Sequence, residues 1–130
     1  MELQLSHTRV KRLRFDSKAI EINETSFNYR VDFSDEDRKS FTVEFNLAIS
    51  DQEENYYLEI TYEANFLTND DITGDFIKSS FPKVNAPAIA FPYFRAYISL
   101  LTQQSGYNTV VLPSLNFVKL AQEKFTNEGS

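Results

Sequence analysis

Cysteine is absent from the 130 residues, so disulfide frameworks, thiolate metal sites and cysteine nucleophiles are excluded together. Glycine occurs only three times, too few for a phosphate cradle, and the chain has no G-x-x-x-x-G-K-[ST], G-x-G-x-x-G or G-x-S-x-G string. Histidine occurs once. His7 lies near the start with no serine or carboxylate arranged around it as a triad needs, and it reads as a solvated surface residue. Long apolar runs are missing too. Nothing approaches the roughly 18 uninterrupted apolar residues of a membrane span, and residues 1–14 lack the apolar segment of a secretion signal. A soluble, cytoplasmic chain with no membrane insertion is expected. Acidic residues are missing between Asp75 and Glu123, where the only charges are Lys78, Lys83, Arg95 and Lys119. That stretch is expected to be buried or sticky.

The charge that is present is unevenly spread. Net charge is -6 and the pI is near 4.8. Residues 1–18 carry +3 through Arg9, Lys11, Arg12, Arg14 and Lys18, and the remainder carries -9. An acidic body repels phosphate, which argues against nucleic acid as a ligand and leaves the basic stretch as a local docking edge. At 15.1 kDa, 42% hydrophobic and 25% charged, the chain is expected to form one globular domain over residues 1–130.

Apolar and polar residues alternate through the first half with the period of two that a half-buried strand requires. Phe41, Val43, Phe45, Leu47 and Ile49 share one face. Tyr56, Leu58, Ile60, Tyr62 and Ala64 share another, after a polar hairpin loop at 50–55. Phe27, Tyr29, Val31 and Phe33 form a third run, ended by the acidic turn at 34–37, and a less regular run lies in 4–15. The expected architecture is α+β: a four-stranded antiparallel meander with two helices packed on it. The first helix is expected to open at Pro92, where the missing N–H costs nothing, and to stop at Gly106. It is apolar nearly all round, so it should be covered on more than one side. The second begins after a capping Asn116 and carries Phe117, Leu120, Ala121 and Phe125. An apolar, proline-punctuated crossover joins sheet to helix over 76–87, and residues 127–130 are expected to fray.

Candidate chemistry is thin. The string Asn69-x-Asp71-x-Thr73-Gly74 mimics the start of a calcium loop, but its twelfth position is Ser80 where a bidentate Glu is required, so no metal site is expected. The acids at 35–37 and 53–54 lack the apolar surroundings that raise a pKa for acid catalysis. The chain does not read as an enzyme, and no cofactor is expected. What stands out is aromatic surface, twelve Phe and seven Tyr. Most of it serves core packing. With the all-round apolar helix and the crossover, it points to an oligomer with a groove for extended apolar chains.

The string Asn85-Ala86-Pro87-Ala88-Ile89-Ala90-Phe91-Pro92-Tyr93-Phe94-Arg95 resembles the start of the first helix in the SecB-like protein-export chaperones, which carry P-x-x-L-F-P-Y-x-R. Gly106-Tyr107 followed by Val111-Leu112-Pro113-Ser114-Leu115-Asn116-Phe117 resembles that family's G-x-x-P-x-x-L-x-P-x-N-F segment at the same spacing. Tyr57-Leu58-Glu59-Ile60 is similar to its fourth-strand L-C-E-V string. The resemblance implies a homotetramer built as a dimer of dimers that holds unfolded polypeptides without ATP, for protein export. It implies that Leu58, Ile60 and Tyr62, with Phe94, Ile98 and Leu101 of the first helix, face the oligomer interface. Glu59 would dock a translocase ATPase, and Tyr29, Phe76, Phe81, Val84 and Phe117 would line the client groove. The acidic body favours basic clients. Two features depart from export chaperones: Lys11-Arg12-Leu13-Arg14 replaces acidic docking residues, and only five residues follow Phe125. These favour the alternative, a dedicated single-partner chaperone such as the relatives that guard an antitoxin.

Overall fold

A computed structural model describes residues 2–20 and 23–125. The expected fraying at 127–130 lies outside the described residues. The alternating runs become four antiparallel strands, β1 (Leu3–Asp16), β2 (Glu24–Phe33), β3 (Ser40–Asp51) and β4 (Tyr56–Thr68). A short helix α1 (Gly74–Lys78), a π-helical turn (Phe81–Asn85), a long helix α2 (Ala86–Gln104) and a last helix α3 (Phe117–Phe125) follow. The period of two puts Val43, Phe45 and Leu47 of β3 beside Leu58, Ile60 and Tyr62 of β4 on one face, all buried. The helices cover that face.

Strand order is β1-β4-β3-β2, so the expected meander holds for β2, β3 and β4 while β1 pairs with β4 at the far edge. The link between the two edge strands is residues 17–23, of which 17–20 and 23 are described. Three side chains pin this crossing segment to the β3–β4 hairpin. Asn55 Oδ1 accepts the Ala19 N–H at 2.9 Å, Ser50 Oγ accepts the Ile20 N–H at 3.1 Å, and Asn23 Oδ1 accepts the Gln52 N–H at 2.7 Å. Asn55 itself adopts the left-handed conformation (φ 60°) that closes the hairpin, a conformation asparagine tolerates.

The irregular run in β1 has a simple cause. The register slips between Leu5 and His7 and again between Val10 and Arg12, so Ser6 and Lys11 are bulged residues. With those two insertions, Leu5, Val10, Leu13 and Phe15 pair with Phe66, Tyr62, Ile60 and Leu58 and keep to the helix side.

Helix α2 starts six residues earlier than expected. Pro87, not Pro92, occupies its first turn. Pro92 sits inside the helix, where its ring removes the hydrogen bond to the Ala88 carbonyl; both residues face solvent, so water can take that acceptor. The helix ends as expected at Gly106, whose φ of +91° suits a residue without Cβ. Inside the last turn, the buried Thr102 hydroxyl donates to the Ile98 carbonyl at 2.9 Å and accepts the Val110 N–H at 3.0 Å, tying the returning segment to the helix. The Asn116 side chain caps α3 by accepting the Lys119 N–H at 3.1 Å.

Aromatic packing joins the layers. Phe94 stacks on Phe45 at 5.3 Å between ring centres and leans on Tyr62 at 5.2 Å, and Phe91 meets Phe117 edge-on at 5.6 Å.

Candidate functional site

The crossover that looked irregular in sequence is largely helical. Thr73 Oγ1 accepts the Phe76 N–H at 3.2 Å and starts α1. Ser79 ends it, and Pro82 opens the π-helical turn that runs directly into α2. One side of this segment faces the β2 edge and leaves a cavity of about 590 Å3 lined by Val31, Phe33, Ile77, Pro82 and Phe125, with Lys78 and Lys83 at its rim. A second hollow of about 460 Å3 shares Phe33 and Ile77 with it and continues to Asp35, Arg38 and Ile72. Together they make one open trough along the β2 edge. Volumes in this range hold a few large side chains.

None of the five residues expected to line a client groove lines either hollow. Phe81 is exposed and Val84 half-buried in the π-helical turn. Tyr29, Phe76 and Phe117 are core instead, Phe76 packed on Phe41 of β3 and Phe117 on Phe45 and Phe91. Their role is support: Phe76 stacks under Phe81 at 6.0 Å, and Tyr29 meets Phe117 edge-on at 5.3 Å and Phe125 at 6.3 Å. Sequence reasoning missed Ile77, Pro82 and Phe125 as lining. Val31 and Phe33 carried a usable signal, since they continue the face of Tyr29 towards the end of the strand, past the cover of α3.

Tyr29 also fixes the π-helical turn, its hydroxyl donating to the Lys83 carbonyl at 2.9 Å. Burial pushes that hydroxyl up to about 12. The folded pKa lies above the unfolded value of about 10, so the stability that this neutral phenol contributes is complete below pH 10 and is lost as pH rises towards 12. Absorbance at 295 nm should therefore show Tyr29 ionising last, near pH 12 and together with loss of the near-UV dichroism. Simultaneous titration of every tyrosine near pH 10 in a folded chain would contradict this environment.

The six residues expected at an oligomer interface are placed differently from that expectation. Leu58, Ile60, Tyr62, Phe94 and Ile98 are buried within the single chain and Leu101 is half-buried, because the inner face of α2 lies directly on β4. The helix does have a second apolar face. Ile89, Tyr93 and Leu100 stand 43%, 55% and 55% exposed, and with Ala96 they follow the i, i+4, i+7, i+11 spacing of one stripe.

On the outer face of the sheet the basic first strand meets the acids of its neighbours. Arg9 pairs with Glu63, Lys11 Nζ approaches Glu44 at 3.5 Å, and Arg12 approaches Glu59 at 3.8 Å. Glu44, buried at the centre, also takes Arg30 at 3.3 Å and the Asn46 amide at 3.3 Å. Glu44 and Glu63 face each other across β3 and β4, and the cations offset that like-charge pair. The basic stretch is thus largely occupied within the sheet. Glu59 accepts the Tyr57 hydroxyl at 2.8 Å as well, so as a docking residue it would first have to leave two partners.

His7 lies beside Ser6, with 3.2 Å between Oγ and Nδ1, and no group of three or more metal-ligating side chains occurs among the described residues. No helix among the described residues is long and apolar enough to cross a membrane.

Two solved structures share this fold at low identity. A SecB-like chaperone of Mycobacterium tuberculosis, in complex with a ChAD peptide from the HigA1 antitoxin, superposes with a TM-score of 0.65 at 16% identity over 87% of each chain. A protein of unknown function from Streptococcus agalactiae gives 0.62 at 14% identity, over 88% of this chain and 98% of the other. No curated protein matches in sequence. The model of the SecB family, described as preprotein translocase subunit SecB, matches residues 10–128, and the chain belongs to that family.

Proposed function

We propose that the protein is an ATP-independent holdase of the cytoplasm, which keeps polypeptide segments from aggregating by seating their apolar side chains in the trough along β2. The observation that carries this is the trough itself: Val31, Phe33, Ile77, Pro82 and Phe125 present apolar side chains in an opening along β2 that rests on the aromatic core. Burial of apolar area supplies the affinity at about 25 cal/mol per Å2. Binding by burial of apolar surface asks for no covalent step. The working unit in this reading is a homotetramer, a dimer of dimers in which α2 meets other copies through Ile89, Tyr93 and Leu100. Delivery for export through a translocase ATPase is the role the family suggests.

A second reading, a chaperone dedicated to one partner such as an antitoxin, is favoured by the neighbour that holds an antitoxin peptide and by the engagement of Glu59 and the basic strand within the sheet. Solution mass with a permanently unfolded chain, reduced carboxymethylated α-lactalbumin, tests the first reading. The expected result is an assembly that gains client mass and loses that gain when Ile77→Glu and Phe81→Glu are combined. An assembly indifferent to this and to unrelated unfolded chains would sink the general holdase and leave the single-partner reading.

A further inference from the structure

The rim of the trough carries charge of one sign at one end. Lys78 and Lys83 line the larger cavity, and Lys124 stands beside it with its Nζ 6.0 Å from the Phe125 ring centre. No acidic residue lines that cavity among the described residues, and neither Lys78 nor Lys83 is in an ion pair there. Lys83 lies over the ring of Phe125 at 4.9 Å, which holds its ammonium at the edge of the apolar floor. The far end is mixed, with Asp35 and Arg38 of opposite sign. Five cations of the sheet, Arg9, Lys11, Arg12, Arg14 and Arg30, are by contrast paired with carboxylates.

We infer that this groove selects segments in which acidic residues flank an apolar core, the acids meeting Lys78 and Lys83 while the apolar side chains fill the space between Phe33, Ile77 and Pro82. The inference rests on the trough being the polypeptide site proposed above. It reverses the preference for basic clients that the overall charge of -6 suggests. The reason is range. At physiological salt the screening length is about 8 Å, so a bound segment feels chiefly the charges that line its groove, Lys78 and Lys83 at one end and the opposed pair Asp35 and Arg38 at the other.

The test uses three synthetic peptides with one apolar core, flanked by glutamates, lysines or serines and labelled with an uncharged coumarin. Anisotropy in 50 mM salt is expected to show the glutamate peptide binding roughly five- to tenfold tighter than the serine peptide, an advantage that shrinks as salt is added. Combining Lys78→Glu and Lys83→Glu, the first at an exposed and the second at a half-buried position, should transfer the advantage from the glutamate peptide to the lysine peptide. Equal binding of all three, or tighter binding of the lysine peptide to the unaltered protein, overturns the selectivity while the groove stands. Failure of every peptide to bind overturns the groove reading and this inference with it.

Discussion

Replacing Phe94 with alanine should remove about 3–5 kcal/mol of folding stability, read as a lower urea midpoint at unchanged slope. Phe94 is fully buried, and its ring touches four others, those of Phe27, Phe45, Phe91 and Tyr62. It is the point at which α2 is held to β3 and β4 together. Neighbouring rings cannot collapse into the space, because each is fixed by a second contact: Phe45 by Phe117, Tyr62 by Tyr97, Phe91 by Phe117. The cost therefore belongs at the upper end of the range for aromatic truncation. A loss below about 1 kcal/mol would mean that the helix is not anchored through this ring. Protein concentration must be held constant in the comparison, because the proposed assembly would add a concentration-dependent part to stability.

The second large effect is expected from the opposite side of the same helix. Tyr93→Glu combined with Leu100→Glu touches no core contact, so the folded chain should be retained, with unchanged far-UV dichroism. In the proposed assembly each copy loses two apolar anchors, at roughly 2 kcal/mol apiece, and gains two charges that would have to be desolvated. Each interface should weaken by roughly a thousandfold, and light scattering at micromolar concentration should report a smaller particle than the unaltered protein. An unchanged mass would exclude the outer stripe as the contact between copies. It would also leave three large apolar side chains in solvent without an occupant.

Reading the sequence located the strands well, because alternation is a local signal and four half-buried strands each display it. Phe41 to Ile49 and Tyr56 to Ala64 lie in β3 and β4 with the faces their spacing implied. Pairing order was not local: nothing within residues 3–16 states that β1 will join β4 rather than β2, since its apolar side chains would suit either edge. The bulges at Ser6 and Lys11 blurred the period there, and the period becomes regular once the two insertions are counted. The start of α2 was misplaced because Pro82, Pro87 and Pro92 are all compatible with a first turn, and only the buried face of Ala86, Pro87 and Ala90 reveals which one is used. At the candidate site the aromatic content of the sequence marked the crossover but not the lining, since burial depends on packing between strands and helices that no local spacing states: Tyr29, Phe76 and Phe117 are core, Phe81 is exposed, and Phe125 lines the larger cavity.

The pairing of β1 with β4 also bears on how the chain comes off the ribosome. β1 is made first, yet its partners begin at Tyr57, after both hairpins of the other three strands have been synthesised. β2, β3 and β4 can pair by short loops, whereas β1 must close a long one, which makes it the late step in folding. Until then its apolar residues wait without a partner. Arg9, Lys11, Arg12 and Arg14, placed among them, are the kind of charges that discourage a waiting strand from joining the edge of another chain. The same cations that end up neutralising Glu63, Glu44 and Glu59 thus guard the chain against aggregating before it has folded.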